Sequence, residues 1–184
     1  MALGGGDLAV VYGINFMKKY GFTLIDLIVS IAIFGLITAS VLVNFRAGSR
    51  GDSVRQSANI TATMLRRAQT MTLSGELLLD ESFPIGGYGI YFDSADPDTL
   101  TLFADIDGNY VYDAGEEIDT EDLAGDAYFS AGGNLGVVFS SPDSDVYFNG
   151  LATDPLKQIT IAASDTDVTQ SIYVYRVSGQ IRVE

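Results

Sequence analysis

The residues best able to do chemistry in this chain are carboxylates, because it contains no histidine and no cysteine. Their absence removes the thiolate nucleophile, the disulfide framework, the usual zinc ligands and the side chain that most readily exchanges protons near neutral pH. Most hydrolase constellations fall with them. What remains is a spacing of oxygen donors. Asp105, Asp107, Asn109, Asp113 and Glu116 stand at positions one, three, five, nine and twelve of an EF-hand-like loop, with the Val111 carbonyl at position seven. Hard oxygen ligands at that spacing could hold Ca²⁺. Against this, Tyr110 replaces the glycine of position six, Gly108 stands at position four instead, and no helical pattern flanks the segment. Asp and Asn before glycine are also ordinary hairpin-turn chemistry. Calcium is thus the one ion to consider, with a plain turn as the alternative, and no other cofactor is expected. The adjacent acids Glu116/Glu117 and Glu121/Asp122 could be nominated as a glycosidase pair, but no nucleophile or phosphate loop accompanies them. A solvated acidic face is the expected reading, and the chain is not expected to be an enzyme.

The elements that must position these residues follow from hydrophobic periodicity. Residues 22–45 are almost continuously apolar, and a helix of that length would reach about 36 Å, enough to span a bilayer. Its apolar character runs around the whole circumference, which favours lipid or a helical bundle over a single buried stripe. One acid, Asp26, interrupts it near its start, and a carboxylate there needs a partner. Lys18 and Lys19 precede the run and agree with a cytoplasmic N-terminus, whereas Arg46 and Arg50 beyond it weaken the asymmetry. A second helical segment, 46–75, places Val54, Ala58, Thr61, Leu65, Ala68 and Thr72 on one stripe, expected to cover the chain's own sheet. Gly48 and Gly51 predict a bend or weak point near its start.

Beyond residue 75 the period becomes two. Strands are predicted over 88–93, 99–104, 135–140, 146–148, 158–163, 171–177 and 180–183, the last two paired across Ser178-Gly179. The expected class is α+β: a long N-terminal hydrophobic helix whose C-terminal half packs on an antiparallel sheet domain, 76–184. Charge is segregated along this order. Residues 68–184 hold three basic side chains (Lys157, Arg176, Arg182) against 21 acidic ones, a balance of −18 within a chain whose net charge is −14. Such a surface should repel nucleic acid.

The stretch Lys18-Lys19-Tyr20-Gly21-Phe22-Thr23-Leu24-Ile25-Asp26-Leu27, followed by an uninterrupted apolar helix, resembles the processing site of type IV pilins and type II secretion pseudopilins. In that family a membrane aspartyl prepilin peptidase cuts after the glycine, and the new N-terminal residue is methylated. Carried over, residues 1–21 are a leader, cleavage falls between Gly21 and Phe22, and 22–45 is the transmembrane and assembly helix. Met17 offers an alternative start, which would make residues 1–16 a gene-calling artefact. The resemblance also assigns Asp26 to subunit recruitment, through the free N-terminal amine of a neighbour. Two departures stand out: the family's acid is usually glutamate, one methylene longer, and many major pilins carry a proline in this helix, where 22–45 has none.

Residues 102–117, with Asp105, Asp107, Gly108, Asn109, Asp113 and Gly115-Glu116, resemble a strand-turn segment of the H-type (GspH/FimT-like) minor pseudopilins, and 173–181 resembles their closing hairpin. The function implied is a minor pilin or pseudopilin, a single-pass protein of the cytoplasmic membrane with its C-terminal domain on the extracytoplasmic side. It would prime or cap assembly of a pilus-like or secretion filament. Implied partners are prepilin peptidase, other minor and major subunits, the inner-membrane assembly platform and membrane lipid. The alternative is a binding module at the filament tip, for adhesion or DNA uptake. A DNA reader needs a basic, aromatic-interleaved surface, and three cations in 117 residues do not make one.

Overall fold

The computed structural model describes residues 23–130, 132–142, 145–164 and 167–184, with backbone alone for 43–50. Two compact units divide the chain, Met1–Val41 and Leu42–Glu184. One helix, α1 (Leu24–Ser74), begins in the first and continues into the second. In the first unit the described residues are helix from Leu24 on, and every side chain of Leu24–Leu42 is exposed. This stretch has a mean hydropathy of 2.4 and is long and apolar enough to cross a membrane.

In the second unit α1 acquires an inward face. All six stripe residues, Val54, Ala58, Thr61, Leu65, Ala68 and Thr72, are buried. Helical backbone runs through Gly48 and Gly51, where a weak point was expected. The helix stops at Gly75, whose left-handed backbone (φ 65°) lets Glu76 N–H reach the Met71 carbonyl and Gly75 N–H the Thr72 carbonyl. That is a Schellman cap.

Nine strands follow among the described residues: β1 (Gly87–Phe92), β2 (Thr99–Asp105), β3 (Glu117–Asp122), β4 (Ala127–Phe129), β5 (Leu135–Phe139), β6 (Val146–Phe148), β7 (Leu156–Ala163), β8 (Thr169–Tyr175) and β9 (Ile181–Val183). They form two antiparallel sheets rather than the single one expected, in the orders β3-β2-β1-β5-β6 and β4-β7-β8-β9. Strands β3 and β4 were not anticipated. The first is an acidic, wholly exposed edge strand without apolar alternation, and the second is only three residues long.

Register decides what each sheet face carries. Tyr88, Ile90 and Phe92 pair with Ala104, Leu102 and Leu100 on one side and with Phe139, Val137 and Leu135 on the other. All nine are buried in one cluster with Val54, Ala58, Leu65 and Ala68 of the α1 stripe and with Ile159, Ile161, Ile172 and Val174 of the second sheet. Helix and sheets share one core, in which the rings of Phe92 and Phe129 lie 4.9 Å apart. Buried polar residues of α1 are matched: Thr72 Oγ1 donates to the Phe139 carbonyl (3.0 Å) and accepts Tyr88 N–H (3.0 Å), while Ser57 Oγ accepts Ala124 N–H (2.8 Å). The opposite face of the five-stranded sheet carries Gly89, Tyr91, Phe103, Asp105, Val138 and Tyr147, and the β2–β3 loop is held against it.

Candidate functional site

Two places bear the chemistry read from the sequence, and each lies within one unit. The first is the start of α1. Asp26 Oδ2 accepts hydrogen bonds from Thr23 N–H (3.2 Å) and Thr23 Oγ1–H (2.6 Å), and Thr23 Oγ1 accepts Asp26 N–H (3.3 Å). This reciprocal pattern is a capping box, with aspartate in the place usually held by glutamate or glutamine. It gives Asp26 a partner within its own chain, and its negative charge stands at the helix end where the macrodipole favours it. Thr23 was missed as a functional residue although T-x-x-D before an apolar run was legible in the sequence. Gly21 and Phe22 lie outside the described residues.

The second place is the acidic loop between β2 and β3. Asp105 is the last residue of β2, on the face opposite the core, and is fully buried. Its Oδ1 accepts the N–H groups of Gly108 (2.8 Å) and Asn109 (3.2 Å), and its Oδ2 that of Tyr110 (2.8 Å). Glu116, also buried, accepts Ile106 N–H (2.9 Å) on one oxygen and Asp113 N–H (3.0 Å) on the other. Asp107 Oδ1 takes Asn109 N–H (3.0 Å), and Asn109 Oδ1 takes Val111 N–H (2.7 Å). The last two are Asx-type turns in series.

Aromatic rings press the loop onto the sheet. Tyr110 stacks on Tyr147 of β6 (centroids 3.8 Å apart, planes at 6°). Tyr112 stacks on Tyr91 of β1 (4.5 Å) and meets Phe103 edge-on (5.3 Å). Glycine makes room beneath: a Cβ on Gly89 would stand 2.7 Å from the Val137 carbonyl oxygen and 2.8 Å from the Phe103 ring, and one on Gly86 would strike the Asp105 carboxylate. The aromatic contacts were not foreseen. Strand alternation puts Tyr91, Phe103 and Tyr147 on one face, but where a loop returns is not written in a period.

Of the carboxylates expected among the calcium donors, Asp105, Asp107 and Glu116 each offer an oxygen within 4.8 Å of the others. Asn109 turns its amide Nδ2–H groups toward Asp107 (3.1 Å) and Asp113 (2.7 Å), bridging the two acids itself. Val111 contributes its N–H to the turn, as above. Tyr110, at the position where an EF-hand loop needs glycine, does adopt left-handed backbone (φ 62°), so the bend is made despite the side chain.

Burial pushes the Asp105 carboxyl above the ordinary aspartate value. The Tyr110 and Gly108 amides pull it back, and the Glu116 charge and Asp107 add to the rise. Glu117 is held below the usual glutamate range by backbone N–H bonds, including that of Gly115 (2.8 Å). Asp119 is lowered by Arg67, whose guanidinium donates to it at 2.7 Å. The acid pairs do not converge for catalysis. Glu116 is buried and bonded to backbone, Glu117 is exposed, and Glu121 and Asp122, neighbours on β3, project to opposite faces.

Comparison of the chain with families of known proteins, with characterised proteins and with solved structures finds no match.

Proposed function

We propose that this chain is a membrane-anchored structural subunit of the type IV pilin and pseudopilin class, most like its H-type minor members, rather than an enzyme. One observation carries the reading. A helix exposed and apolar on every side over Leu24–Leu42, its only charge capped in the first turn, continues as the helix whose later turns lie buried against two antiparallel sheets. A helix apolar all round is stable only when lipid or other helices cover it, and a filament core of like helices supplies the second environment after the first. In this reading prepilin peptidase removes residues 1–21, the cytoplasmic membrane holds the helix with the sheet domain on the extracytoplasmic side, and the assembly platform passes the subunit into a pilus or pseudopilus with other subunits.

Asp26 then has two roles, capping its own helix and pairing with a neighbouring subunit's N-terminal amine, and two substitutions separate them. Thr23→Ala removes the cap and leaves the carboxylate, whereas Asp26→Ala removes both. Co-purification with partner subunits should survive Thr23→Ala and fail with Asp26→Ala, both variants inserting in the membrane. Undiminished co-purification of Asp26→Ala would refute the pairing role.

A further inference from the structure

The loop after α1 leaves apolar side chains in water. Leu77 is 55% exposed, Leu79 completely so, and across from them Ile106 and Ile118 are 48% and 42% exposed. These four line a single groove of about 470 Å³, with Met71, Leu78, Tyr88 and Ala104 also among its walls. Every charged residue that lines it is acidic: Glu76, Asp80, Glu116 and Glu117. The four carboxylates differ in how far they are committed. Glu116 is tied to the backbone of the acidic loop, Glu117 to Gly115 N–H, and Asp80 Oδ1 to Ser82 N–H and Oγ–H (3.1 and 2.6 Å). The Glu76 side chain has no hydrogen-bond or ion-pair partner among the described residues. The groove also runs beside Glu117 and Ile118 at the start of β3, which among the described residues is an outermost strand with none on its far side.

We infer that this groove docks a polypeptide segment in which an apolar side chain is flanked by lysine or arginine. Two independent features select that chemistry. Contiguous exposed apolar surface rimmed by polar groups marks a contact site, because covering it removes Leu77, Leu79, Ile106 and Ile118 from water together. A rim of carboxylates without a cation discriminates among apolar partners: acidic or neutral ones lose solvation at the rim without compensation, while lysine or arginine lays its methylene stem on the apolar wall and its charge on Glu76 and Asp80. The cations of the sheet region add to this selection by being already paired. Lys157 lies beside Asp154, Arg176 beside Asp145 and Arg182 beside Glu184, and of the two helix arginines that share an adjoining hollow with Glu76, Arg67 is bonded to Asp119 (2.7 Å) and Arg66 reaches the Ile181 carbonyl (3.4 Å).

The test uses the full chain in zwitterionic nanodiscs and a fluorescein-labelled octapeptide alternating lysine and leucine, followed by fluorescence anisotropy. Two control peptides replace leucine by serine or lysine by glutamate. The lysine–leucine peptide should bind, with affinity falling as salt rises, and both controls should bind much more weakly. Glu76→Gln with Asp80→Asn should weaken binding about tenfold, the equivalent of two exposed ion pairs. Leu79→Ser, at a fully exposed site, should weaken it without changing the circular dichroism of the fold. The charge-matched variant Glu121→Gln with Asp122→Asn, outside the groove, should bind like the parent. Equal weakening by both charge pairs, or equal binding of the serine peptide, would mean diffuse attraction to an acidic protein and overturn the proposal. So would self-association of the chain that excludes the peptide and is lost in the groove variants, since a second copy would then be the occupant.

Discussion

Replacing Asp105 by alanine tests whether the acidic loop is built as a backbone clamp. The carboxylate accepts three N–H groups, but Asn109 N–H has a second acceptor in Asp107 Oδ1 at 3.0 Å. The substitution therefore orphans two donors, those of Gly108 and Tyr110. An orphaned donor costs roughly 1–3 kcal/mol, and relief of a buried charge offsets part of the total, leaving a net loss of about 2–4 kcal/mol. For a unit the size of Leu42–Glu184 this is a fall of about 6–12 °C in Tm. Asp107→Ala removes an exposed carboxylate whose backbone partner Asn109 keeps Asp105, so it should cost less than about 0.5 kcal/mol. The chain has no tryptophan, so near-ultraviolet circular dichroism reads its tyrosines, among them the stacked Tyr110–Tyr147 and Tyr91–Tyr112 pairs. Thermal melts of the chain in neutral detergent, followed at those wavelengths in EDTA, Ca²⁺ and Mg²⁺, should show a large loss for Asp105→Ala, a small one for Asp107→Ala, and no ion-specific difference. A calcium site would instead raise stability by about 2.7 kcal/mol at a hundredfold excess over Kd. Such a rise, present with Ca²⁺ alone and abolished by Asp107→Ala, would refute the clamp reasoning, as would an Asp105→Ala melt identical to the parent's.

Gly89→Ala should destabilise the sheet domain by about 1–3 kcal/mol in denaturant titration, because the added methyl meets the Val137 carbonyl and the Phe103 ring at under 3 Å; an unchanged midpoint would show that the sheet yields there. The pH response of Asp105 has a definite sign. With its folded pKa raised above the unfolded value, the folded state holds the proton to higher pH, so this residue's contribution to stability falls as pH rises from the ordinary aspartate range through the raised value. The lowered Glu117 and Asp119 act in the opposite sense, contributing above their unfolded values and losing that contribution on acidification. Subtracting the pH–stability curve of Asp105→Asn from the parent's isolates the first effect, and a difference that grows with pH in the parent's favour would contradict it.

The parts of the fold legible in the sequence are those set by periodicity. The stripe from Val54 to Thr72 is buried at every position read from it, and seven of the nine strands fall where apolar and β-branched residues alternate between turn residues. Exceptions have physical causes. The edge strand β3 is Glu-Ile-Asp-Thr-Glu-Asp, and charge at a sheet edge serves to block further pairing rather than to mark burial. The division into two sheets depends on pairings such as β4 with β7, distant in sequence and invisible to any local pattern. In the acidic loop the donor spacing was legible but not its use, since an oxygen that accepts backbone amides and one that binds an ion come from the same residues. The capping role of Thr23 is legible as T-x-x-D before an apolar run, since an N-cap side chain and an acid three residues on lie within one turn.

The most direct measurement is the N-terminus of the mature chain. Co-expression with a prepilin peptidase, membrane extraction and intact-mass and N-terminal peptide spectrometry should give a polypeptide beginning at Phe22 with its amine methylated, and Gly21→Ala should leave the leader attached. A chain that stays uncut beside an active peptidase, or is cut by signal peptidase beyond the apolar helix near Ala47, would contradict the assignment to this class of filament subunit.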